Sequence, residues 1–98
     1  VNDLEFKELK INETAHEVTI NNEVVKLTNK EFELLVYLLK HRNVALSRER
    51  LLDDIWGYDF YGDERTIDTH IKMLRQSIKE YGDYIKTVRG VGYKFHAE

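Results

Sequence analysis

Ninety-eight residues weighing 11.7 kDa hold one domain, because a core of that size cannot be divided further without losing burial. With 42% apolar residues, eleven aromatics and no Cys, the composition excludes a disordered chain, a disulfide framework and a thiolate metal site, and a small unstapled domain is expected in a reducing compartment, the cytoplasm. The net charge of −3 hides an asymmetry: residues 1–61 carry eight basic and twelve acidic side chains, whereas residues 65–94 carry seven basic and three acidic, so the sum does not exclude a polyanionic partner.

The elements follow in chain order. Short β-prone runs at Leu4–Phe6, Leu9–Ile11, Val18–Ile20 and Val24–Leu27 predict an N-terminal antiparallel sheet of four strands, with Asn21-Asn22 suited to a tight primed turn. Thr28 followed by Glu31 matches a capping box, and Phe32, Leu34, Leu35, Leu38 and Leu39 predict a central buried helix ending near His41. Its apolar run from Leu34 to Leu39 is far below the ~18 residues of a membrane span. No export signal opens the chain, and Val1 in place of an initiator Met is what a domain cut from a longer protein would show. Ser47 is the next N-cap, for a short helix through Leu51, Leu52, Ile55 and Trp56 that Gly57 stops. Residues 57–64 hold three aromatics, Tyr58, Phe60 and Tyr61, which is too apolar for a mere spacer. Asp63 caps a third helix whose Ile67, Ile71, Leu74, Ile78 and Tyr81 form one inward stripe. After Gly82, the segments 84–88 and 93–95 flank Arg89-Gly90-Val91-Gly92 as a β-hairpin.

Opposite its apolar stripe the third helix presents Arg65, Thr69, Lys72, Met73 and Gln76, with Arg75 and Lys79 along the flanks. A helix fits the ~12 Å major groove of B-DNA with outward side chains at base edges and cations at phosphates. A solvated helix surface would have the same pattern, and the heptad-like spacing is also that of a short dimer seam. At the hairpin tip the glycines beside Arg89 allow close backbone approach, or only satisfy the turn, and Arg suits a narrow electronegative minor groove. Other chemistry fails. Asp53-Asp54 and Asp63-Glu64 diverge as neighbours on a helix, the four His are scattered without metal spacing, and Gly90-Val91-Gly92 lacks the rest of a nucleotide-binding motif. No catalytic pair, metal site or cofactor is expected.

Five blocks in order, Thr28 to Leu35, Ser47 to Leu52, Trp56 to Asp59, Arg65 to Ile71 and Thr87 to Tyr93, strongly resemble the effector domain of OmpR/PhoB-type response regulators. The resemblance spans the chain. It implies an α+β winged helix-turn-helix: an N-terminal four-stranded antiparallel sheet, three helices and a C-terminal β-hairpin wing, all in one domain over residues 1–98. It implies a regulator of transcription that binds promoter DNA as tandem direct repeats, with recognition helix 65–81 in the major groove and wing 84–95 at the minor groove. By the same resemblance Arg65, Thr66, Thr69, His70, Lys72, Met73 and Arg75 occupy DNA-contacting helix positions, and Thr87, Arg89 and Tyr93 match wing positions. Gln76 and Lys79 join them from the helix face. Met73 stands where several relatives place a base-reading Arg. Tyr58, Phe60 and Tyr61 fall in the loop through which relatives touch RNA polymerase; packing over the gap between helices is the alternative. A receiver domain upstream and a second copy on DNA are the other implied partners. The competing reading is a winged-helix protein-interaction module that does not bind DNA.

Overall fold

The computed structural model describes residues 4–57 and 62–97. Strands β1 (Leu4–Phe6), β2 (Leu9–Asn12), β3 (Glu17–Ile20) and β4 (Glu23–Val25) form an antiparallel meander in that order. Its register places Phe6 beside Leu9, Leu9 beside Ile20 and Ile11 beside Val18, and all five are buried, as period-two alternation dictates. Asn21 and Asn22 both have positive φ, 53° and 68°, the backbone of the primed turn expected for a two-residue hairpin. The fourth strand stops at Val25, short of the expected Leu27.

Helix α1 (Asn29–Lys40) starts at a complete capping box: Glu31 N–H donates to Thr28 Oγ1 at 3.2 Å, and Thr28 N–H donates to Glu31 Oε1 at 2.9 Å. Phe32, Leu34, Leu35, Val36, Leu38 and Leu39 are all buried, which makes this helix the centre of the core. Two residues, Leu46–Ser47, then form β5, a strand the sequence did not predict. A lone apolar residue has no periodicity, and the strand exists only because Leu46 lies opposite Tyr93 and Ser47 opposite Gly92. Ser47 also caps α2 (Arg48–Leu51), accepting from Arg50 N–H at 3.0 Å, and the chain widens into a π-type turn over Leu52–Trp56.

Helix α3 spans Arg65–Ser77, with Asp63 Oδ1 accepting from Arg65 N–H at 3.0 Å. It ends four residues before the expected Tyr81. Ile78 is its C-cap, Lys79 adopts φ 54°, and a 3-10 segment follows over Lys79–Tyr84. The apolar stripe had run past the true end because three residues per turn also bring Tyr81 under Ile78. Gly82 permits this: a Cβ there would lie 2.5 Å from the Arg75 carbonyl oxygen. Strands β6 (Ile85–Val88) and β7 (Gly92–Phe95) complete a second sheet in the order β5-β7-β6.

Aromatic rings join the two sheets. Phe6 of β1 meets Tyr84 edge-on at 4.7 Å and Phe95 of β7 at 5.1 Å, while Tyr81 Oη accepts from Glu8 N–H at 3.0 Å. The result measures 36 × 27 × 20 Å. Among the described residues no helix is long and apolar enough to cross a membrane.

Candidate nucleic-acid interface

The outward face of α3 is built by what its other side buries. Ile67, Ile71 and Leu74 face the core, and the period of 3.6 leaves Arg65, Thr69, Lys72, Met73 and Gln76 exposed. At 13 residues, the helix is about 20 Å long. Thr66 is half-buried. His70 turns aside: Nδ1 lies 2.8 Å from the Thr66 carbonyl and the ring meets Trp56 edge-on at 4.8 Å, so it packs α3 against the end of the π-type turn that follows α2.

The wing stands beside this face. Thr87 and Arg89 are exposed on it, with Lys86 exposed along β6. Gly90 has φ 78°, a turn conformation that L side chains resist, and Val91 N–H closes the turn on Val88 O at 3.0 Å. Gly92 serves packing. A Cβ on it would lie 2.2 Å from Leu46 O, so it seats β7 on β5 and does not lie at the open surface.

Two side chains of α3 tie the wing down. Arg75 donates to Ile85 O at 3.1 and 2.8 Å and to Thr87 Oγ1 at 3.1 Å, with its guanidinium 5.6 Å from the Tyr93 ring centroid. Asp68 accepts from Tyr93 Oη at 2.6 Å and from Arg48 Nη1 at 3.0 Å. Burial, then the Asp68 carboxylate, push the Tyr93 hydroxyl up from 10 to about 12, so it stays a proton donor at neutral pH. Between Asp68 and the wing lies a cleft of about 310 Å³, lined also by Arg48, Thr87 and Arg89.

The structure thus gathers Arg65, Thr66, Thr69, Lys72, Met73, Arg75, Gln76, Thr87 and Arg89 around one surface. Tyr93, expected among the wing contacts, is 8% exposed and braces the surface from beneath. Lys79 lies apart. It terminates α3 and sits with Glu80 beside the β3–β4 turn. Tyr58, Phe60 and Tyr61 lie outside the described residues. The sequence reading missed Arg48 and Asp68; Asp68, three residues after Arg65 and four before Lys72, falls on the basic arc and was its one acid.

A four-stranded meander, a helix pair, an exposed third helix and a β-hairpin wing define a winged helix-turn-helix protein. Residues 21–95 match the family described as transcriptional regulatory protein, C terminal. The chain belongs to this family, the effector domain of OmpR/PhoB-type response regulators. It is 50% identical over 99 residues to the transcriptional regulatory protein SrrA of Staphylococcus aureus, covering 97% of this chain and 41% of that protein. Among solved structures, the Klebsiella pneumoniae RstA DNA-binding domain in complex with the RstA box superimposes with a TM-score of 0.84 at 30% identity, covering 95% of each chain. The Thermotoga maritima response regulator DrrB, an OmpR/PhoB homologue, gives 0.85 at 35% identity over 95% of this chain and 43% of its own. The chain therefore spans under half the length of the full regulators it resembles.

Proposed function

We propose that this domain binds duplex DNA sequence-specifically and regulates transcription, with α3 in the major groove and the wing at the adjoining minor groove. The observation that carries the reading is the continuity of the exposed α3 face with the Arg89-tipped wing, cross-braced by Arg75 and Thr87. On this reading Thr69, Met73 and Gln76 lie toward base edges. Arg65, Lys72, Lys86 and Arg89 pair with phosphates, which position the protein without reading sequence.

The whole regulator on this proposal has a receiver domain upstream, works in the cytoplasm, and occupies tandem direct repeats as two copies. RNA polymerase meets it through residues 57–64, with Tyr58, Phe60 and Tyr61 as contacts. The domain acts as a binding module with no reaction of its own.

Gel retardation with random duplexes, followed by selection of the bound sequences, tests the reading. Lys72→Ala and Arg89→Ala should each weaken retention several-fold, since each removes a phosphate partner. If neither substitution alters retention, the protein-interaction reading takes its place.

A further inference from the structure

Asp68 is an acid on a surface assigned to a polyanion. Its two oxygens are divided between two partners, Tyr93 Oη at 2.6 Å and Arg48 Nη1 at 3.0 Å. Tyr93 belongs to β7 and Arg48 opens α2, so one carboxylate on α3 bridges the wing and the preceding helix. Both bonds are charge-assisted, the strong kind; the Tyr93 bond starts from a buried ring, where water competes less, while the Arg48 pair stays open to solvent. Arg48 also approaches Glu64 Oε1 at 3.8 Å, which places its cation within an acidic pair. Tyr93 lies between this bridge and the Arg75 guanidinium, clamped from two sides by residues of a single helix. Toward a polyanion the carboxylate is unfavourable in itself, because it repels phosphates across the cleft that also holds Arg89, even though it pairs with Arg48.

Resting on the DNA-binding reading above, we propose that Asp68 is a positioning residue that fixes the wing and α2 at one angle to α3, so that this acid strengthens duplex binding. Held in place, Thr87 and Arg89 meet the duplex together with Lys72. Released, the wing keeps the Arg75 bonds and its two-residue pairing with β5 but loses its second tie to α3, and ordering its tip at each encounter costs entropy.

The experiment measures duplex affinity against salt for the domain, three single variants and one double variant, with circular dichroism to verify folding. Asp68→Leu should weaken binding about tenfold, the worth of one charge-assisted bond. It should also flatten the salt dependence by about one to two phosphates' worth as the wing disengages. Asp68→Asn keeps an acceptor for Tyr93 Oη but gives up the charge facing Arg48, and should fall between the parent and Asp68→Leu. Tyr93→Phe, which keeps the ring and loses only the hydroxyl, should weaken binding in the same direction and add nothing in the Asp68→Leu background. Equal or tighter binding by folded Asp68→Leu overturns the proposal, as that is what relief of repulsion alone would give. Should Asp68→Leu not fold, unchanged affinity in Tyr93→Phe overturns it instead. A parent domain that retains no duplex overturns the DNA-binding reading and this inference together, whereas a binding parent with indifferent variants overturns this inference alone.

Discussion

Met73 is 38% exposed in the middle of the outward face of α3. A thioether there offers a base edge only apolar contact, such as to a thymine methyl, while an Arg would donate two bonds to guanine worth ~1 to 3 kcal/mol of discrimination. Met73→Arg should therefore move the selected motif toward guanine at one position; identical motifs from both proteins would count against a base-reading role. Tyr93 carries a second prediction. Its hydroxyl titrates near 12 in the fold against about 10 when free, so between those values the native state holds a proton that the unfolded chain has lost. Stability conferred by the neutral hydroxyl is then complete below pH 10 and declines as the pH climbs to 12. Denaturant titrations across that window should show a decline that is shallower in Tyr93→Phe.

At the scale of elements, two backbone positions are governed by opposite rules. Gly92 cannot accept a side chain, because its Cβ would collide with Leu46 O at 2.2 Å; Gly92→Ala should cost about 1 to 3 kcal/mol by overpacking and loosen the wing from β5. Lys79 holds a left-handed φ of 54° at the end of α3, where glycine is favoured. Lys79→Gly should raise stability by roughly 0.5 to 1 kcal/mol, seen as a higher Tm. These positions mark the limit of what the sequence makes legible. Thr28 with Glu31, Asn21-Asn22 and the spacing of Ile67, Ile71 and Leu74 act on their own neighbours, so their signals are local and the elements lie where expected. The strand β5, the early end of α3 and the burial of Tyr93 depend on partners 25 or more residues away or on a close backbone approach, and no local pattern encodes those. The outward α3 residues were legible because they are the complement of the buried stripe; the roles of Asp68 and Arg48 follow only from their meeting across 20 residues.

For the molecule as a whole, binding strength should follow the cations left on the surface and not the total charge. Arg75 is occupied by Ile85 O and Thr87, and Lys79 sits beside the β3–β4 turn, which leaves Arg65, Lys72, Lys86 and Arg89 as exposed partners for phosphates on this side. Four such contacts give a slope of log affinity against log salt of about −3 to −4; a flat dependence would contradict the assignment. The proposed pair of copies on direct repeats one helical turn apart, ~10 to 10.5 bp, would lie on the same side of the duplex. Moving one half-site by about half a turn should abolish any cooperation between them, which a two-site titration measures. The division of charge between the chain's two parts also has a kinetic consequence. Salt extinguishes a field within ~8 Å, so a polyanion at close approach feels the charge of the face it meets and not the chain's total. The acid-rich meander repels such a polyanion while the cationic helix and hairpin attract it. On the proposed function, fewer of its close encounters with a duplex should then be wasted on the wrong face.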